Sequence, residues 1–255
     1  MNVRLLPPLL AVLLTAGCDV VPKLSARAGA MYAALDGAVS LAPTPGSPSA
    51  TARVDVHDDL GIDSSASPFV ELGLDTMLGR FEVNGLHYSD ASEGTLSGSF
   101  GDIAAGLPVR AEVALDLVRA FWAFDLIDLG PLRLSPGLGV DWLDLDTRVA
   151  SLTPVSVYEE LDVSAAMPLL VLDAAVELGP VTAEATVGAM DLDVGDFGGT
   201  FFDADARLGW QLAFGAELFA GYRHVRIDAV GVSGGQDYDA DLTLAGWYVG
   251  GGFRF

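Results

Sequence analysis

Charged side chains recur at alternate positions of otherwise apolar or glycine-rich segments: Glu71, Asp75, Glu82, Arg119, Asp125, Arg133, Asp173, Glu177, Glu184, Asp203, Asp205, Arg207, Glu217, Arg223 and Arg254. An arginine fork grips a carboxylate through two parallel hydrogen bonds, so such a set can build a structural network of buried ion pairs. It can also line a charged pore or gate. The expected network is Glu71, Glu82, Arg119, Arg133, Glu177, Glu184, Arg207, Glu217, Arg223 and Arg254. A second set is purely acidic: Asp55, Asp58, Asp59 and Asp63; Asp144 and Asp146; Asp191, Asp193 and Asp196; Asp237, Asp239 and Asp241. Carboxylate oxygens suit Ca²⁺ or Mg²⁺. No 12-residue calcium loop closes on a glutamate here, so the expectation is a solvated acidic rim, at most holding divalent cations weakly, with no defined metal site and no cofactor. His57, His87 and His224 are the only histidines, and they read as loop or rim residues.

Alternation of this kind needs strands. In 131–149, Leu132, Leu134, Leu138, Val140 and Trp142 face one way, and Arg133, Ser135, Gly137, Gly139 and Asp141 the other. In 200–212, Phe202, Ala204, Ala206, Leu208 and Trp210 oppose Asp203, Asp205, Arg207, Gly209 and Gln211. A period of two means one greasy face and one polar or small face. Leu78-Gly79-Arg80, Leu129-Gly130-Pro131, Leu178-Gly179-Pro180 and Phe214-Gly215 punctuate the alternation, and glycine supplies the positive φ of tight hairpin turns. The predicted pairs are 68–77 with 80–90, 109–128 with 131–149, 158–178 with 181–194, and 200–212 with 215–229. A last strand, 239–255, pairs with the segment from Ala28 to about Leu41. The connections at the opposite end, 42–67, 91–108, 150–157, 195–200 and 230–238, are longer and polar. Pro136 and Pro168 fall inside strands, where each deletes a ladder hydrogen bond, so bulges are expected there. The segment 111–127 also fits an amphipathic helix, but Phe121, Trp122 and Phe124 favour strand.

Composition narrows the partners. The 255 residues carry 35 acidic and 13 basic side chains, a net charge of -22, which argues against nucleic acid. Mean hydropathy is nevertheless +0.42 and 51% of residues are hydrophobic, which excludes general disorder. Beyond the first 17 residues no uninterrupted apolar run reaches the ~18 residues a spanning helix needs. Apolar residues spread thinly over many short segments point to a transmembrane β-barrel.

The end of the chain agrees. Phe255, Phe253, Val249, Trp247 and Ala245 share one parity, against Arg254, Gly252, Gly250, Tyr248 and Gly246. A closing strand with a greasy outer face and a terminal aromatic resembles that of small bacterial outer-membrane β-barrel proteins, the OmpA/OmpW-like class. The resemblance implies an all-β antiparallel barrel of about ten strands (eight is the alternative), short periplasmic turns, longer extracellular loops and an outer-membrane location. It also implies contact with outer-membrane lipid and lipopolysaccharide, and an assembly signal in Trp247, Phe253 and Phe255 read by the barrel-assembly machinery. The role expected is structural or surface-interacting, with the lumen filled by the ion network; a narrow porin-like channel for small solutes or cations is the alternative. A lipid-modifying enzyme is less favoured. Lipid A deacylases pair His-x-Ser, but Arg226 stands where a serine would follow His224, and no segment offers the serine–histidine pair of barrel phospholipases. For a barrel aspartyl protease, His57-Asp58-Asp59 is the nearest match.

Residues 1–17 read as a signal peptide, with Arg4 before the apolar Leu5 to Leu14. Leu14-Thr15-Ala16-Gly17-Cys18 resembles a lipobox, which implies acylation of Cys18, the only cysteine. Residues 18–27 then form a tether and 28–255 the barrel.

Overall fold

A computed structural model describes residues 22–255 apart from 46, 48–49, 153–156 and 195–196; the signal segment, Cys18 and Asp196 lie outside the described residues. Ten long antiparallel strands form the wall: β1 (Lys23–Leu41), β2 (Ser65–Thr76), β3 (Gly79–Thr95), β4 (Pro108–Ala123), β5 (Leu132–Ser151), β6 (Tyr158–Leu178), β7 (Val181–Val194), β8 (Phe197–Gln211), β9 (Ala216–Ser233) and β10 (Gln236–Arg254). Each pairs with the next in sequence, and β10 pairs with β1 from Ser25↔Arg254 to Leu41↔Tyr238, closing the barrel. The segment 111–127 is therefore strand over most of its length, not helix. Gly79, Gly130, Gly179 and Gly215, the glycines of the expected turns, all adopt positive φ.

Three boundaries and one expected distortion depart most from expectation. β1 begins at Lys23, within the segment expected to be a tether. β4 stops at Ala123, and the chain makes a short excursion in which Ile127–Asp128 folds back onto Leu134 and Arg133 of β5. The last connection, expected over 230–238, is only the Gly234-Gly235 turn between Ser233 and Gln236. And the prolines make no bulges: β5 and β6 keep one register through Val140↔Pro168 and Pro136↔Leu172. Each proline instead ends the ladder on its other side. Pro136 accepts from the Phe124 N–H but cannot donate back, and β4 ends there. Pro168 lies just past the end of the β6–β7 ladder, which starts at Leu170↔Ala189.

The strands run to 20 and 21 residues in β5 and β6, about twice what a tilted strand needs to cross the hydrocarbon. Their polarity inverts partway along. On β5 the outward Leu132, Leu138, Val140 and Trp142 give way to Asp144, Asp146 and Arg148, while inward Ser135 and Asp141 give way to Leu143, Leu145 and Val149. The same switch lies just above Tyr32 on β1, Tyr222 on β9 and Trp247 on the descending β10. Below it the barrel is greasy outside and charged inside; above it, it is polar outside with a buried apolar core. Leu132 to Trp142 spans about 33 Å of strand, or about 23 Å at 45° tilt, close to the height of an outer-membrane apolar band. All four tryptophans face outward: Trp122 and Trp210 near the short-turn end, Trp142 and Trp247 at the inversion.

Candidate functional site: a charged plug beneath a sealed cap

The lower lumen is filled by ion pairs that cross the barrel. Arg27 Nη1 donates to Glu71 Oε1 (2.5 Å) and its Nη2 to Glu217 Oε1 (3.2 Å). Arg207 Nη1 donates to the other oxygen of Glu71 (2.6 Å), and its remaining donors engage Glu184. Glu184 also faces Arg254 (3.3 Å) and Arg80 (3.7 Å). Arg80 holds Glu82 at 2.6 Å. One layer up, Arg119 pairs with Asp141 (3.2 Å) and with Asp203, which Arg223 also grips at 2.6 Å. Arg223 Nη1 donates to Asn84 Oδ1, and Tyr248 OH to Asp205 Oδ1. Arg133 reaches Asp173 at 3.3 Å, toward the short-turn mouth.

Of the residues expected in the network, Glu71, Glu82, Arg119, Glu184, Arg207, Glu217 and Arg223 are buried there; Arg133 and Arg254 join from its lower edge. Glu177 does not join. It is exposed at the mouth, among the described residues without an ion pair. Arg27 and Arg80 belong to the network beyond that expectation: Arg27 falls in the segment expected to be a tether, and Arg80 at the junction of a turn with the expected strand 80–90. The signal for Arg27 was present: Leu24, Ala26 and Ala28 alternate outward around Ser25 and Arg27.

The space left between Glu71, Glu82, Asn84, Arg119, Arg207, Arg223 and their neighbours is about 20 Å³, room for roughly one water. Below the plug a vestibule of about 430 Å³, edged by Lys23, Asp75, Arg80, Asp125, Arg133 and Glu177, opens at the short-turn mouth. Above it, Leu35, Leu115, Leu145, Leu161, Phe201 and Leu244 close the lumen with apolar packing.

The first two long loops seal the far end. Val54–Asp55 adds to β1 opposite Val39 and Ala38, and Leu60, Ile62, Leu96, Phe100 and Ile103 are all buried beneath the loops. Asp59, expected on the acidic rim, is the buried pin of this cap, accepting from the Asp55 N–H (2.9 Å), the Ser97 N–H (2.9 Å) and the Ser97 hydroxyl (2.8 Å). Asp102 is exposed, and hydrogen bonds from the Thr44 and Ser47 side chains hold its carboxyl below the usual range. Asp144, Asp146, Asp239 and Asp241 lie on the outer wall above the inversion. Among the described residues no group of three or more His, Cys, Asp or Glu converges as a metal site.

The histidines stand apart from the lumen. His57 sits in the cap with Nδ1 3.1 Å from the Ile62 carbonyl, an acceptor that pulls its pKa above the ordinary value. His87 faces outward, 2.7 Å from its cross-strand partner Asp116. His224 also faces outward, against Phe202. Trp247, Phe253 and Phe255, the expected assembly signal, project from the outer wall, Phe253 and Phe255 stacked at 6.2 Å.

A closed antiparallel ring with a lipid-facing belt, girdle tryptophans and a charged lumen defines a β-barrel of the bacterial outer-membrane class. The chain is similar in fold to the outer-membrane protease OmpT of Escherichia coli (TM-score 0.56, 8% identity, 94% of this chain and 99% of that one). It also aligns with the translocator domain of the autotransporter NalP from Neisseria meningitidis (TM-score 0.44, 16% identity, 92% and 88%) and with the outer membrane protein AlkL (TM-score 0.37, 11% identity, 94% and 93%). At these identities the likeness concerns the fold alone. No protein-family model and no curated protein sequence matches the chain.

Proposed function

We propose that this protein is a closed, non-catalytic outer-membrane barrel, allied to the OmpA/OmpW-like class, whose work is done by the acidic collar it projects above the membrane. The observation that carries this reading is the double obstruction of the lumen. A solute would have to part the Arg207–Glu71–Arg27 layer, with about 20 Å³ free, and then the apolar core and cap. Purified protein in planar bilayers is expected to give little steady conductance. Steady, cation-preferring conductance would favour the porin-like alternative, with the acidic excess selecting ions in an open pore.

On the same reading Cys18 is acylated. A palmitate analogue fed to cells should label the wild type and not Cys18→Ser; an unlabelled wild type whose mature start lies beyond residue 18 would support an ordinary signal peptide. The outer wall meets membrane lipid along its apolar belt. Lipopolysaccharide phosphates meet the acidic collar, with shared divalent cations as the bridge.

A further inference from the structure

The barrel wall opens at Pro168. β6 is paired with β5 from Tyr158 to Val176, and β7 with β8 out to Val194, yet β6 and β7 share a ladder only from Leu170↔Ala189 to Leu178↔Val181. Strand alternation supplies the cause. The Glu177 N–H donates to the Pro131 carbonyl on the β5 side, so odd residues of β6 point their backbone groups at β5 and even residues at β7. Pro168 is even and has no N–H, so the next bond, to Asp191 of β7, is missing and the strands part. Beyond it the backbone groups of Ala166, Ser164, Asp162 and Glu160 form an edge onto which no strand ladders among the described residues. One of them is held from a distance: the Asp162 carbonyl accepts from Ser233 Oγ (2.9 Å) at the tip of β9. Ala166 pairs with Trp142, so this edge stands at the inversion and above it, outside the hydrocarbon.

A free edge of this length is a template for another strand, and closed barrels ordinarily have none. We propose that the edge from Tyr158 to Ala166 is a strand-addition site for an extended extracellular peptide of alternating basic and apolar residues. The proposal rests on the surface-interaction reading and names its partner's chemistry. On the outer face Asp162 lies on β6, and Asp191 and Asp193 stand across the opening, all exposed. Glu160 is already shared with Arg148 at 2.9 Å. On the inner face Val163, Ala165 and Met190 are only partly buried against the core. An added strand therefore meets carboxylates with one set of side chains and apolar surface with the other, while its backbone supplies the ladder bonds. A second copy of this chain fits worse, because it would set Glu160 and Asp162 against their own kind.

The test uses the full-length protein in detergent and a fluorescent nine-residue peptide alternating Lys and Val, read by anisotropy. The same peptide N-methylated along one backbone edge keeps its charge and loses its ladder donors. The parent peptide is expected to bind, and N-methylation to weaken it at least tenfold. Pro168→Val, which restores the donor to Asp191 and lets β6 and β7 zip further, should also weaken it. Equal binding of both peptides would mean adsorption to the acidic collar and would overturn the proposal. So would unchanged binding by Pro168→Val, no binding at all, or a dimer that excludes the peptide. Conductance in bilayers reports separately on whether the lumen is closed.

Discussion

Arg207→Ala should lower the unfolding midpoint of the barrel in detergent more than loss of any exposed arginine. Its guanidinium donates to Glu71 (2.6 Å), engages Glu184 from a second side, and lies 5.9 Å from the centre of the Phe219 ring. Side-chain exposures of 5%, 4% and 7% for Arg207, Glu71 and Glu184 leave little water to take over. Breaking a well-shielded pair by removing one partner costs about 3–5 kcal/mol, chiefly because a buried carboxylate loses its counter-charge. The loss falls toward the lower end here, since Arg27 still holds Glu71 and Arg254 still reaches Glu184. Arg148→Ala is the matched control. Its pair with Glu160 is about half exposed and is worth at most about 1 kcal/mol. Unchanged stability of Arg207→Ala, together with steady wild-type conductance, would sink the plugged-barrel reading.

The arginines of the network are unequally legible in the sequence. Arg119, Arg207 and Arg223 sit mid-strand, where a period of two fixes the face unambiguously. Arg27 and Arg80 lie at strand starts, where alternation has just begun and a neighbouring turn glycine or leader segment competes for the reading. Partner choice was not legible at all, because Arg27–Glu217 and Arg207–Glu71 join residues 190 and 136 positions apart across the lumen. The prolines teach a related point. Its residue type shows that Pro168 lacks a donor, but only the Glu177–Pro131 bond shows which neighbour is deprived. The ten-strand plan was legible because turn glycines and alternation agree throughout. The inversion of polarity was hidden for the opposite reason. A parity reading records that Leu143 and Leu145 share a face with Asp141, and does not say that the surrounding solvent changes from lipid to water at Trp142.

That change of solvent carries the second large prediction, because it gives leucines on neighbouring rows of β5 opposite duties. Leu138 is 60% exposed near the middle of the apolar belt, and Leu145 is 3% exposed inside the projecting collar. Truncating Leu145 to alanine removes packing from a dense apolar core and should cost about 2–5 kcal/mol. Leu138→Ala only trades one lipid-facing side chain for a smaller one and should cost well under that. A charge reverses the order of tolerance by row. Leu138→Arg places a guanidinium near the bilayer midplane at a cost of about 2–4 kcal/mol, while the outward rows above Trp142 already carry Asp144, Asp146 and Arg148. Urea titrations of the barrel folded into lipid vesicles would measure all three variants. If Leu145→Ala is as harmless as Leu138→Ala, the upper barrel is a wet pore and not a packed collar, and the surface it offers to a partner would have to be redrawn.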